Sequence, residues 1–216
     1  MPPYDPFAPR PFSIERLYES AQRLVAPMGR WRRALVDNIG PRAGDVIVEL
    51  GCGAGALAIA LALAEPRAQV IAVDPDEGAL SRARTRAVEN GAKIEFVRGL
   101  GADAAHLLAD WAPSKLVANF VERPALAHEK RATIAAAHVA LRPDGVLHLA
   151  DYGIASASAA RPAQTQPGAT PVDRSATAER EAMLALLRGA GFVAAERTES
   201  FPAPRGAVAL YRARIS

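Results

Sequence analysis

Apolar residues in this chain come in short blocks broken by turn-forming residues, and the blocks alternate between two spacings. Val46–Leu50, Val70–Val73, Lys115–Val121 and Val146–Ala150 are apolar runs bounded by Gly, Pro, Asp or Ser. Such runs are too short for core helices and lack a polar face, as expected of parallel strands buried on both sides. Between them lie longer stretches with helical spacing, at Ala56–Ala64, after Asp76 as far as Asn90-Gly91, and at Ala125–Leu141. Strand alternating with helix predicts an α/β fold with a parallel sheet.

The remaining elements follow from the same spacing. Met28–Ile39 puts Trp31, Leu35 and Ile39 on one helix face, and Gly40-Pro41 stops that helix. Asp76 is placed to cap the helix that carries Ala79, Leu80, Ala83 and Ala87. Lys93–Val97 reads as the third strand, and Asp103 as a candidate cap for a helix over 104–110. Ala178–Gly189 reads as a helix with Met183, Leu184 and Leu187 inward. A strand beginning at Gly191-Phe192 and another over Val208–Arg214 close the chain. Residues 153–176, rich in Ala, Ser, Pro, Thr and Gln, show no periodicity and predict a long loop or lid. Residues 1–13 hold five prolines and predict an extended arm, followed by a helix from Ser13 to Pro27. The expected division is therefore an arm and leading helix over 1–27 and a single domain over 28–216.

Candidate chemistry is concentrated where the first strand meets the first long helix. The run Glu49-Leu50-Gly51-Cys52-Gly53-Ala54-Gly55 places three alternate glycines before Ala56. Glycine lets a backbone turn sharply and approach a ligand closely. The helix start beyond it offers unsatisfied N–H groups and a partial positive charge, suited to a carboxylate or phosphate. Asp74 ends the second strand, where a carboxylate accepts hydrogen bonds from ribose hydroxyls. Gly51-x-Gly53-x-x-Ala56 also fits the dinucleotide fingerprint, so a nicotinamide cofactor stays open on the glycines alone. Glu49 points elsewhere, because a carboxylate inside an apolar strand is costly without a partner.

Glu49 through Gly55, followed by Val73-Asp74-Pro75-Asp76, resembles the class I S-adenosylmethionine-dependent methyltransferases. Arg142-Pro143-Asp144-Gly145 is similar to that family's turn before the fifth strand. The resemblance implies a Rossmann-like fold with a seven-stranded, mostly parallel sheet and helices on both faces. It implies S-adenosyl-L-methionine as cofactor, with Glu49, Gly51, Cys52, Gly53 and Gly55 at its methionine end. Asp74 would hold the ribose; Pro75, Asp76, Gly99 and Leu100 would line the adenine edge. Asn119 and Phe120, at the end of the fourth strand, would face the reacting methyl. Asp151, at the end of the fifth, is the candidate catalytic residue. The leading helix would lie across the cofactor mouth, with Tyr18 as a lid residue. The nearest likeness is to the ubiquinone and menaquinone C-methyltransferases, although Phe120-Val121-Glu122-Arg123 stands where that branch often carries Val-Leu-His-His. The family's Gly-Asp after the third strand is also altered, to Gly99-Leu100-Gly101-Ala102-Asp103.

Composition narrows the setting. The chain has 216 residues, half of them hydrophobic, enough for one good core. A single cysteine excludes a disulfide framework and suits a reducing compartment, so the expectation is a cytoplasmic enzyme. There is no membrane-spanning run, and the net charge of +3 comes from dispersed arginines, with clusters only at Arg30/Arg32/Arg33 and Arg82/Arg84/Arg86. No metal-ligand pattern stands out. A small-molecule acceptor is expected rather than nucleic acid. The alternatives are an NAD(P)-dependent oxidoreductase or a non-catalytic S-adenosylmethionine-binding module, and a homodimer is compatible with either reading.

Overall fold

The first helix shows how the spacing becomes structure. In the computed structural model, which describes residues 28–121, 125–152, 171–203 and 206–216, α1 spans Met28–Ile39. Trp31, Leu35 and Ile39 point inward, each at most 3% exposed. Burying each such side chain contributes about 1.5–3 kcal/mol. Gly40, at φ 52°, then ends the helix in a conformation that favours glycine.

The elements that follow are β1 (Val46–Leu50), α2 (Ala56–Ala64), β2 (Gln69–Asp74), α3 (Glu77–Glu89) and β3 (Glu95–Arg98). A 3-10 turn over Gly101–Asp103 leads into the short α4 (Ala104–Leu107), then β4 (Lys115–Asn119), α5 (Ala127–Ala140) and β5 (Val146–Asp151). The chain closes with α6 (Pro171–Gly189), β6 (Ala194–Ala203) and β7 (Gly206–Arg214).

The seven strands form one sheet in the order β3-β2-β1-β4-β5-β7-β6. All pairings among β1 to β5 are parallel, while β7 runs antiparallel between β5 and β6. Alternate residues face opposite sides. Val48, Ile71, Leu116 and Leu149 pack with Leu108, Ile134 and Met183 from α4's end, α5 and α6. Ile47, Val70, Val117 and Leu210 pack with Leu35, Leu61 and Leu80 from α1, α2 and α3. Helices therefore cover both faces, as a parallel sheet requires. The antiparallel β7 departs from the dinucleotide-binding order, in which the sixth strand follows the fifth directly.

At the lower, N-terminal end of the sheet, Lys115 Nζ donates to Asp45 Oδ2 at 2.6 Å and to the Gly40 carbonyl at 2.7 Å. Ser114 Oγ donates to Asp45 Oδ1 at 2.9 Å. Burial pushes the Asp45 carboxyl up, but these hydrogen bonds outweigh it and hold the group below its ordinary value. The clasp ties the end of α1 to β1 and β4.

Two local expectations are corrected. α6 begins at Pro171 rather than near Ala178, so the expected loop over 153–176 ends at least six residues earlier. Proline's fixed φ and missing N–H suit a first helical turn, a start signal that side-chain periodicity does not carry. Asp103 makes no side-chain cap: its segment is already a 3-10 turn, closed by Asp103 N–H donating to the Leu100 carbonyl at 3.0 Å. The helix expected over 104–110 ends at Leu107. The arm and leading helix with Tyr18, residues 122–124 and most of the expected lid, 153–170, lie outside the described residues.

Candidate cofactor site

Strand order reverses between β1 and β4, and α/β sheets hold ligands in the crevice beyond the strand ends at such a point. The register pairs Leu50 with Ala118. The glycine loop after β1 and the Asn119–Val121 turn after β4 thus lie side by side across that crevice.

The loop's backbone donors are almost fully spent on holding its own shape. Gly51 and Cys52 N–H donate to the Val73 carbonyl at 2.8 and 3.0 Å. Gly53 N–H donates to Asp74 Oδ2 at 2.8 Å, and Gly55 N–H to the Cys52 carbonyl at 2.9 Å. Helical bonding in α2 starts with Ile59 N–H on the Gly55 carbonyl. Among the described residues, the N–H groups of the first turn, Ala56 to Ala58, therefore remain available at the positive end of the helix dipole.

The glycines serve two different needs. Gly51 and Gly53 sit at φ 77° and 53°, and a Cβ on either would meet no atom of the described residues within 4 Å. Backbone conformation requires them, and among the described residues the space above them is open. Gly55, at φ 77°, is also a packing glycine, since a Cβ there would come 2.9 Å from Ala83 Cβ. From the same helix, Arg86 Nη1 donates to the Ala54 carbonyl at 3.0 Å. Helix α3 thus braces the loop from behind.

Asp74 joins the parts. It is 4% exposed; Oδ2 accepts from Gly53 N–H and Oδ1 from Asp76 N–H at 2.9 Å, while its carbonyl accepts from Gly99 N–H at 3.1 Å. Three of the expected cofactor segments are thereby linked through one residue. Asp76 is partly committed elsewhere, with Oδ1 capping α3 through Gly78 and Ala79 N–H. Leu100 stands 52% exposed beside Gly99. Glu49 is 1% exposed on β1, two residues before the glycine loop. Burial, together with the charges of Glu49 and Asp74, drives the Cys52 thiol well above its ordinary value, so it is an unreactive small apolar group.

On the far side of the crevice, Asn119 Oδ1 accepts from Val121 N–H at 3.1 Å, and Phe120 N–H donates to the Ala150 carbonyl at 2.9 Å. This last bond carries the β4–β5 ladder one step past β4 and brings Phe120 next to Asp151. Asp151 is 1% exposed and held by Lys130, whose Nζ lies 2.7 Å from Oδ1 and 2.6 Å from Oδ2. Neither Lys130 nor Arg86 was among the expected site residues. Lys130 had a legible signal, since it falls in phase with the buried stripe Thr133, Ile134 and Ala137 of α5. A lysine in such a stripe needs an acid to meet it.

His148, in β5, belongs to the core rather than the site. Burial and the positive charges of Lys115, Arg212 and Arg214 pull its pKa down to about 3, which keeps it neutral. His138 packs edge-on against Phe192, ring centres 5.1 Å apart.

Sheet order and glycine loop together define a class, the methyltransferase variant of the doubly wound nucleoside-binding fold. Residues 47–145 match the family model described as a methyltransferase domain, and the fold around them is that of the class I S-adenosylmethionine-dependent methyltransferases. Among solved structures, magnesium protoporphyrin IX methyltransferase (ChlM) from Synechocystis PCC 6803 with bound SAH is similar at a TM-score of 0.66 and 18% identity, over 98% of this chain and 91% of that one. A possible exported protein from Bordetella parapertussis is similar at 0.63 and 20% identity, over 98% and 76%. TrmN from Thermus thermophilus is similar at 0.59 and 20% identity over 86% of this chain, which spans only 48% of TrmN. At these identities the likeness is one of fold. No curated protein sequence matches the chain.

Proposed function

We propose that this methyltransferase binds S-adenosylmethionine in the crevice between β1 and β4 and methylates a small molecule. The carrying observation is the loop cradle, with open space above Gly51 and Gly53 and a braced carboxylate, Asp74, at its rim. The chemistry of the donors fits the cofactor's parts. The free N–H groups of α2's first turn meet its carboxylate, Glu49 its ammonium, and the remaining lone pairs of Asp74 its ribose hydroxyls. Cys52 lines the loop by contact. Pro75, Asp76, Gly99 and Leu100 form the adenine side, and Asn119 and Phe120 the methyl side.

When bound, S-adenosylmethionine supplies a methyl already activated on a sulfonium. The chain's own residues then have to align the acceptor and exclude water. Asp151 is the acidic group of the acceptor side, and with both oxygens held by Lys130 it acts as a fixed charge rather than a mobile base.

A small acceptor is supported by how the arginines are used. Arg84 pairs with Glu77 at 2.6 Å, Arg86 is spent on Ala54, and Arg98 Nε donates to the Pro75 carbonyl at 3.3 Å. Two of these three arginines are tied to backbone carbonyls and the third is paired with an acid, which reduces the charge left for phosphates. ChlM, by its name, also acts on a small molecule. Among the described residues no helix is long and apolar enough to cross a membrane, and the buried single thiol fits a cytoplasmic setting.

Calorimetry with S-adenosylhomocysteine and NADH tests the cofactor assignment. Binding of the first and not the second is expected, and the reverse would refute the reading. Radiolabelled transfer to small-molecule extract, with background counts on RNA and DNA, is the expected acceptor result.

A further inference from the structure

Two opposite charges buried at the ligand end of the sheet call for a reason beyond stability. Lys130 and Asp151 have side chains only 6% and 1% exposed. Taking two ions out of water costs several kcal/mol each, and an apolar pair of similar volume often serves as well or better. The pair also touches the residue that follows β4. Lys130 Nζ lies 5.6 Å from the Phe120 ring centre, within range of a cation–π contact. The backbone holds Phe120 from the other direction, through its N–H on the Ala150 carbonyl, one residue before Asp151.

The same helix reaches the adenine side. Thr133 lies one turn after Lys130, on the same face of α5. A Cβ on Gly101 would come 2.9 Å from Thr133 Cγ2, so the β3 turn is packed directly against α5. One helix face thus contacts both the turn after β3 and the turn after β4.

We infer that Lys130 is a positioning residue for methyl transfer, acting with Asp151 to fix the Phe120 ring as the wall against which the methyl group and acceptor meet. The inference rests on the cofactor assignment above. Asp151 anchors the ammonium, the ammonium holds the ring, and the Ala150 bond sets the ring's height beside the glycine loop. A neutral, apolar pair in its place would preserve the fold and release the ring.

The test follows the bound cofactor, using S-adenosylmethionine carrying a 13C-labelled methyl. In the wild-type protein a ring close to the methyl shifts its proton resonance upfield, and Phe120→Leu should abolish that shift. Lys130→Met/Asp151→Val removes both charges of the pair together. With native circular dichroism and S-adenosylhomocysteine affinity within about threefold as the check on folding, it should lose most of the ring-current shift. Lys130→Arg, which keeps the pair but moves the cation, should give an intermediate shift and covers the case of a double variant that does not fold. A folded double variant with the wild-type resonance would overturn the inference, as would an unchanged resonance in both Lys130→Arg and Phe120→Leu. Failure of the wild-type protein to bind either cofactor form would instead overturn the cofactor assignment, and the inference with it.

Discussion

Asp74 accepts a hydrogen bond from the backbone N–H of Gly53 at 2.8 Å, across 21 residues of sequence. The bond makes the acid at the end of β2 a structural member of the loop after β1. A residue expected only to meet a ribose also shapes the glycine loop.

Asp74→Ala should therefore do two kinds of damage. Hydrogen bonds to a charged acceptor are worth about 1.5–3 kcal/mol each, and the substitution removes those to Gly53 and Asp76 as well as any to the ribose. A lower melting temperature and at least a tenfold loss in S-adenosylhomocysteine affinity are expected together. Differential scanning fluorimetry and calorimetry read the two effects separately. Wild-type affinity in the variant would end the ribose assignment.

Gly53→Val should separate fold from binding. No atom of the described residues lies within 4 Å of the added Cβ, so their packing survives, but φ 53° strains a β-branched residue. We expect native circular dichroism, a stability loss of about 1–2 kcal/mol, and no measurable cofactor binding, because the side chain fills the cradle.

Arg86 and Arg84 are two positions apart and should differ sharply. Arg86→Met releases the Ala54 carbonyl and should weaken S-adenosylhomocysteine binding several-fold, with partial recovery in Arg86→Lys. Arg84 pairs with Glu77 in solvent, both about half exposed, and Arg84→Met should change stability by less than about 1 kcal/mol and leave affinity intact. Parallel titrations decide it; equal effects would refute the bracing role.

His148 sets an acid limit on stability. Its folded pKa, about 3, lies below the ordinary value of 6.5, so the unfolded chain binds more protons between those limits. Stability is full above about pH 6.5 and falls as pH drops towards 3, by about 1.4 kcal/mol per pH unit from this group. His148→Leu should flatten the fall in urea midpoint between pH 6.5 and 4.5. An unchanged slope would show that other groups carry the acid transition.

Much of the site was written in short-range sequence. The strand-glycine-helix run from Glu49 to Ala64 and Asp74 at the end of an apolar strand are local patterns, decided by backbone conformation and burial within a few residues. Element order followed from the same local signals: α1 and α2 match their expected bounds, and Asp76 caps α3 as its position suggested. The start of α6 did not follow, because its proline signal lies outside the stripe that periodicity detects.

What the sequence by itself determined was the class of cofactor loop and the αβ alternation, since both depend on residues close together in the chain. Only the tertiary structure decided which distant groups meet. The placement of β7 between β5 and β6 is set by strand pairing across the sheet, and no local period encodes it. Lys130 and Asp151 are 21 residues apart and meet because α5 packs over the ends of β4 and β5. Arg86 reaches Ala54 from 32 residues away because Gly55 lets α3 approach the loop. Side-chain charge is visible in a sequence, but its partner is chosen by packing.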